Sequence, residues 1–152
     1  MEGRYVGIDL GVRSQHRAVV FDGAQQRGKG FSFATSKEGL EKLLSRATEG
    51  VDGPVHFVFE PTGLSWVPLS AFVNRSGHRL YMLKSQKASD LRKLLRKHTK
   101  SDQIYAGSLA RLPQVDPTGV NELSLPSPSQ MTLRRVVRRR DRRPGSGCSR
   151  CT

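Results

Sequence analysis

The chain has 152 residues, 36% of them hydrophobic, and its 26 Lys and Arg against 13 Asp and Glu give a formal net charge of +13. This length suits about one domain of ~150 residues with one hydrophobic core. The sequence predicts no membrane span and no signal peptide, because no run of ~18 apolar residues is present and the N-terminus lacks the order of a signal. Both cysteines, Cys148 and Cys151, lie in the last five positions, which excludes a disulfide-stapled domain. We expect a soluble, intracellular, basic protein.

The positive charge lies in two segments. Residues 84–100 hold seven Lys and Arg against one Asp, a net charge of +6, and residues 131–152 hold eight Arg against one Asp, a net charge of +7. A neutral body with two basic segments is typical of a protein that binds a polyanion, although a solvated helix face and a disordered tail would look similar. We predict nucleic acid as the partner, with the backbone phosphates bound by the cations of the first segment. These are Lys84, Lys87, Arg92, Lys93, Arg96, Lys97 and Lys100.

Five strands are predicted from short apolar or alternating runs. They cover residues 4–10, 17–21, 30–34, 55–59 and 79–83. The second strand ends at Asp22-Gly23, a hairpin-type turn pair, which makes the first three strands an antiparallel meander. The fourth strand is apolar enough to be central in a sheet.

Helices are predicted wherever the apolar period changes to about 3.6. The first follows Thr35-Ser-Lys-Glu38, which has the form of a capping box with Thr35 as the N-cap, and it ends at Gly50. A second helix spans residues 64–76, a basic helix begins at Ser85, and a last one runs from Ser101 through Leu112.

This order of elements predicts an α/β protein with a mixed five-stranded sheet flanked by helices, as in the ribonuclease-H-like fold. The domain is expected to cover residues 1–112. Residues 113–130 are rich in Pro, Ser, Thr and Gly and have the composition of a linker. Residues 131–142 are expected to form a basic helix, and residues 143–152 resemble no folded element.

Three acidic residues fall where this fold would bring them together. Asp9 lies in an apolar strand, where a carboxylate is costly unless it is paired or bound to a metal. Glu60 follows the fourth strand, at the edge where open α/β sheets place their ligands, and Asp102 begins the last helix. Converging carboxylates suit Mg²⁺, and paired ions of this kind stabilise the attacking and leaving oxygens of phosphodiester chemistry.

Each acid also has a simpler explanation. Asp9 could form a turn or pair with an arginine, Glu60 could be an exposed strand end, and Asp102 could be a first-turn acid favoured by the helix dipole. Taken singly, each simpler explanation is the better one. The fold order and the two basic segments together favour a metal-dependent nuclease.

Several motifs in order resemble the insertion-sequence family 110 transposases. They are Tyr-Val-Gly-Ile-Asp-Leu-Gly at 5–11, Phe-Glu-Pro-Thr-Gly at 59–63, Gly-His at 77–78, Lys-His-Thr-Lys-Ser-Asp at 97–102 and Leu-Ala-Arg at 109–111. The resemblance covers residue 4 to about residue 142. It implies a resolvase-like N-terminal domain with an Asp-Glu-Asp-Asp metal site, followed in the family by a coiled coil and a domain with a nucleophilic serine.

By that resemblance, Asp9, Glu60 and Asp102 are the catalytic and Mg²⁺-binding acids, and the partners are DNA and a structured guide RNA. It further implies transposition by Mg²⁺-dependent strand cleavage and exchange, a homo-oligomer in the full-length family, and a cytoplasmic location at the bacterial nucleoid. One position departs from the pattern, because the fourth acid would fall at Tyr105, in a Tyr105-Ala106 pair. A neutral phenol is a poor ligand for a hard cation, so the Mg²⁺ site is expected to be weakened.

The end of the chain also departs from the family, since the residues after Arg143 do not resemble the coiled coil. We therefore hypothesise a frameshift or premature stop near Arg143. A catalytically inactive nucleic-acid-binding fragment is the alternative function.

Two further motifs are weaker. Cys148-x-x-Cys151 has the spacing of half a zinc site, but no second pair is present. Gly7-Ile-Asp9-Leu-Gly11 also resembles the first phosphate loop of actin-like kinases, but the sequence shows neither a second phosphate loop nor an adenosine-binding segment.

Overall fold

The structure is a computed structural model that describes residues 3–12, 15–96 and 102–125, apart from the side chains of Arg96, Asp102 and Gln103. Several sequence predictions therefore lie outside the described residues. They are the side chains of Arg96, Lys97 and Lys100, the basic helix at 131–142, the tail at 143–152 and the cysteine pair.

The described chain contains seven strands and four α-helices. The strands are β1 (Arg4–Asp9), β2 (His16–Asp22), β3 (Gln25–Gln26), β4 (Phe31–Phe33), β5 (His56–Phe59), β6 (Arg79–Leu83) and β7 (Val120–Glu122). The helices are α1 (Lys37–Thr48), α2 (Trp66–Arg75), α3 (Ser85–Arg96) and α4 (Asp102–Val115), with a 3₁₀ turn at Pro117–Gly119. All five predicted strands and four predicted helices are present, whereas β3 and β7 were not predicted.

The strands form one mixed sheet in the order β3-β2-β1-β5-β6-β7, and β4 also pairs with β2. The pairs β1–β2, β2–β4 and β6–β7 are antiparallel, whereas β1–β5 and β5–β6 are parallel. Parallel neighbours require crossover connections, and α1 and α2 supply them. The α/β prediction is confirmed, with two additional strands in the sheet, and the arrangement is consistent with a ribonuclease-H-like fold.

Helices cover both faces of the sheet. On one face, Val6 and Ile8 of β1 pack with apolar residues of α1 and α2, such as Leu43 and Val73. On the other face, Tyr5 of β1 packs in a second buried cluster with residues of α3 and α4. Alternate residues of β1 therefore face different helices, as the twofold repeat of a strand requires.

Gly7 allows α4 to lie directly against β1. A Cβ atom at position 7 would lie 1.8 Å from the carbonyl oxygen of Ala106 and 2.6 Å from the amide nitrogen of Ala110. Both atoms belong to the backbone of α4, so no side-chain rotation could relieve the overlap. This close packing accounts for a glycine in a central strand without any phosphate loop.

The buried side chain of Arg4 ties the end of α1 to the first hairpin. Its Nε and Nη2 atoms donate to the two carboxylate oxygens of Asp22 at 2.6 and 3.0 Å. Its Nη1 atom donates to the carbonyl oxygens of Ala47 and Glu49 at 3.1 and 2.6 Å. One guanidinium thus satisfies carbonyl groups at the C-terminus of a helix and neutralises a carboxylate.

The capping prediction for α1 was wrong by one residue. Ser36 is the N-cap, and its side chain accepts a hydrogen bond from the amide of Gly39 at 3.1 Å. The hydroxyl of Thr35 lies instead 2.5 Å from Nε2 of His16. Thr35 is therefore engaged with β2, and the neighbouring serine caps the helix.

Regular structure continues past Pro113, where the sequence suggested that a linker begins. Helix α4 extends to Val115, and β7 then pairs with β6 in the register Leu83↔Val120. The domain therefore contains residues up to at least Glu122. Among the described helices, none is both long enough and apolar enough to cross a membrane.

Candidate catalytic centre and nucleic-acid interface

Two of the predicted acids lie at the same edge of the sheet. Asp9 is the last residue of β1, and Glu60 directly follows β5. These strands are parallel neighbours in the register Ile8↔Phe59, so their carboxyl ends coincide. Adjacent strands are about 4.8 Å apart, which places the two residues next to each other.

Strand alternation directs both carboxylates towards α3 and α4. Ile8 and Phe59 belong to the cluster beneath α1 and α2, so the next residue on each strand points to the opposite face. A direct contact supports this for Glu60, whose Oε2 atom accepts a hydrogen bond from residue 105 of α4.

Tyr105 occupies the position where the family resemblance places the fourth acid. Its hydroxyl donates to Oε2 of Glu60 at 2.5 Å. Burial, the hydrogen bond to Glu60 and the Glu60 charge raise the pKa of Tyr105, and the Asp9 charge adds to this effect. The phenol therefore stays protonated and serves as a hydrogen-bond donor to the carboxylate.

Arg92 of α3 is a second partner of Glu60. Its Nη2 atom lies 2.5 Å from the same Oε2 atom, and its guanidinium carbon lies 5.6 Å from the centre of the Tyr105 ring. The side chain of Glu60 is 17% exposed and that of Arg92 is 46% exposed. A shielded carboxylate is thus compensated by one cation and one neutral donor from two different helices.

Asp102, the third predicted acid, is the first residue of α4 and stands three positions before Tyr105. Its side chain is not among the described parts. The role of Asp102 as a metal ligand therefore stays a prediction.

The family to which these motifs point is generally metal-dependent, so the fit of a divalent cation matters. Asp9 and Glu60 offer the hard oxygen ligands that Mg²⁺ prefers. However, two donors already occupy Oε2 of Glu60, and one of them carries a positive charge. Among the side chains that the structure describes, no group of three or more His, Cys, Asp or Glu could hold a metal ion. In the described arrangement, Arg92 and Tyr105 occupy Oε2 of Glu60, so this oxygen does not fit a bound Mg²⁺.

The predicted nucleic-acid-binding cations have different surroundings. Lys84 donates to the carbonyl oxygen of Thr118 at 2.5 Å, and Lys87 forms a 2.6 Å ion pair with Asp116. Hydrogen bonds from Lys87 and Thr118, together with the Lys87 charge, lower the pKa of Asp116 to about 2. Lys84, just before α3, and Lys87, in the first turn of α3, thus have partners within the chain, at the 3₁₀ turn and at its N-cap residue Asp116.

Arg92 and Lys93 line a cleft of about 360 Å³ beside Glu60, together with Ser85 and Ser89 of α3. The cleft therefore places two cations and two hydroxyl side chains next to the acidic edge of the sheet. Lys93 and the two hydroxyls suit an anionic ligand such as a phosphate, whereas the charge of Arg92 is balanced by Glu60, which also lines the cleft.

A buried histidine contact was missed by the sequence analysis. Nδ1 of His16 accepts a hydrogen bond from the amide of Gly11 at 3.1 Å, which leaves Nε2 as the donor to Thr35. Burial lowers the pKa of His16, so the neutral form is favoured. No spacing pattern signals this contact, because it depends on the path of the loop after β1.

The fold places the chain in the class of mixed α/β domains, and it is consistent with a ribonuclease-H-like fold. The family model of the DEDD transposases of insertion-sequence family 110, described as "Transposase", matches residues 6–144. Because this match spans more than half of the chain, the chain belongs to this transposase family. No curated protein matches the chain. Membership of the family supports a function in DNA transposition.

Proposed function

We propose that this chain is the N-terminal domain of a DNA transposase and that it binds the sugar–phosphate backbone of DNA through α3. The observation that carries the proposal is the cleft beside Glu60, where Arg92 and Lys93 stand next to two serine side chains. The net charge of +6 over residues 84–100 supplies attraction to phosphate over a longer distance.

The proposal is tested by measuring duplex DNA binding of the full chain, by fluorescence anisotropy, at several salt concentrations. Each neutralised phosphate contributes roughly −0.9 to the slope of log K against log salt concentration. A variant Lys93→Ala is expected to weaken binding and to reduce the slope by about 1.

Lys37→Ala is the matched control, since Lys37 is an exposed lysine at the start of α1 and its loss changes the net charge equally. Equal effects of the two substitutions would contradict a binding surface on α3. A salt-independent affinity would contradict phosphate binding altogether.

Metal-dependent strand cleavage is a second candidate function, supported by the placement of Asp9 and Glu60 on neighbouring parallel strands. Branched and linear DNA incubated with the full chain and Mg²⁺ tests it, with Asp9→Asn as the control. Cleavage that disappears in Asp9→Asn supports the nuclease function. DNA binding without cleavage supports the alternative of an inactive nucleic-acid-binding domain.

The family resemblance also suggests a structured guide RNA as a partner and a homo-oligomer as the working form. Competition between a folded RNA and the DNA duplex for the chain tests the first. A preference for one folded RNA over another of equal length and equal base-paired content supports it, because the charge density and hence the electrostatic binding are then matched. The mass of the chain in solution, free and with DNA, tests the second.

A further inference from the structure

The Glu60 carboxylate is held through its Oε2 atom by groups of the protein itself. Arg92 and Tyr105 both contact Oε2, each at 2.5 Å, and the guanidinium lies over the phenol ring. The three side chains come from the end of β5, from α3 and from α4. They form a cluster that we call the Glu60 cluster.

The charges in this cluster oppose a divalent cation. A largely shielded carboxylate requires a counter-charge, and Arg92 provides one without any metal. A phenol at position 105 adds no negative charge where a carboxylate would add one. Both features weaken the attraction between this edge of the sheet and Mg²⁺.

We infer that Arg92 is a built-in counter-ion that occupies the place of a metal, so that Mg²⁺ can bind Glu60 only after Arg92 has left it. The contact is reversible on geometric grounds, because the Arg92 side chain is 46% exposed at the surface of α3. Arg92 thereby determines the metal affinity of the centre, and the domain keeps its Glu60 neutralised without metal.

The experiment is a calorimetric Mg²⁺ titration of the full chain and of the variant Arg92→Met. Removing the guanidinium takes away one of the two donors to Oε2 and removes one positive charge a few ångströms from it. The association constant for Mg²⁺ is expected to rise at least about tenfold, because charge interactions across a partly shielded site are strong.

Lys87→Met is the matched control. Lys87 is on the same helix, has a similar exposure of 44% and forms an ion pair of similar length, but its partner is Asp116. The same unit of charge is lost at a site that does not touch Glu60, so the Mg²⁺ affinity should change by less than about twofold, as expected for screened charges.

A second substitution shows whether the increase in Mg²⁺ affinity arises at Glu60 or at another site. Glu60→Gln in the Arg92→Met background is expected to remove the increase in affinity. Equal changes for Arg92→Met and Lys87→Met, no Mg²⁺ binding by Arg92→Met, or a gain that survives Glu60→Gln would each overturn the inference. If circular dichroism shows that Arg92→Met is unfolded, Arg92→Gln replaces it, since the amide retains a neutral donor to Glu60.

The role of Tyr105 is tested in the same way. Tyr105→Asp adds a carboxylate where the phenol now donates, and Tyr105→Phe removes only the hydroxyl. The Asp variant is expected to bind Mg²⁺ more tightly than the Phe variant, and the combination Arg92→Met with Tyr105→Asp more tightly than either single variant. An unchanged affinity in Tyr105→Asp would contradict the part assigned to Tyr105.

Discussion

Gly7 of β1 lies directly beneath the carbonyl oxygen of Ala106 in α4, closer than any side chain would allow. This contact sets the distance between the central strand and the helix that carries Tyr105. The geometry of the Glu60 cluster thus depends on a residue that contributes no side-chain atom to it.

Gly7→Ala is expected to destabilise the domain by about 3 kcal/mol or more, because the new methyl group would overlap the backbone of α4 and force the helix away. Gly53→Ala is the control, since a Cβ atom there would meet nothing within 4 Å. Urea unfolding of both variants measures the difference. A Gly7→Ala protein as stable as the Gly53→Ala protein would show that α4 does not pack as closely as described.

Arg4→Met is expected to lower the free energy of unfolding by about 2 kcal/mol, since it removes four hydrogen bonds and leaves two carbonyl groups without this donor. Arg27→Met provides the comparison, because Arg27 also pairs with Asp22, at 3.3 Å. The Arg27 side chain is 47% exposed against 2% for Arg4, so its loss should cost less than about 1 kcal/mol. Similar losses of unfolding free energy in the two variants would mean that the hydrogen bonds from Arg4 to the carbonyls of α1 contribute little to stability.

The assignment of the α1 cap leads to another comparison. Ser36→Ala is expected to cost about 1 kcal/mol, because the amide of Gly39 loses its acceptor. Thr35→Ala is expected to act through the loss of its contact with His16, so its cost should largely disappear in a His16→Gln background, whereas the cost of Ser36→Ala should remain. Urea unfolding of these variants of the full chain checks this, and a cost of Thr35→Ala that persists in the His16→Gln background would restore Thr35 as the cap.

Histidine burial predicts a dependence of stability on pH. The pKa values of His16, His56 and His78 are all lowered, in each case mainly by burial. Below about pH 6.5 the unfolded chain therefore binds protons that the folded chain excludes, and the free energy of unfolding falls as the pH decreases. Above pH 7.5 both states are neutral at these residues and the effect vanishes.

Urea unfolding at pH 7.5, 6.5 and 5.5 measures this dependence, in a range above the titration of most carboxylates. His16→Gln is expected to have a shallower decline between pH 7.5 and 5.5 than the unmodified chain. An identical decline would show that His16 titrates normally in the folded protein.

The proximity of Asp9 and Glu60 could be predicted because it follows from strand order alone. Parallel neighbours end at the same edge, and alternation fixes the face. The contact between Arg92 and Glu60 could not be predicted, because it depends on how α3 is rotated about its axis when it packs on the sheet. The sequence analysis interpreted Arg92 as one of seven equivalent cations, whereas the structure gives Lys84, Lys87 and Arg92 three different partners.

The two strands that were not predicted have little apolar pattern of their own. β3 is a Gln-Gln pair, and two of the three residues of β7 are exposed Asn and Glu. Such segments are strands because a neighbouring edge offers backbone partners, so local propensity carries no signal for them. The cap of α1 was misassigned for a related reason, since the competition between Thr35 and Ser36 is decided by His16 on a distant strand.

The central position of β1 has a consequence for the motions of the domain. β1 has a paired strand on each side and a packed helical layer on each face, so its amides cannot meet water through fraying of an edge. Hydrogen exchange at Val6 and Ile8 should therefore occur only when the whole domain opens, while β7 at the sheet's edge should exchange through smaller local openings. Among the described strands, the one that carries Asp9 should therefore have the slowest hydrogen exchange, and any ligand that binds the folded state will slow this exchange further.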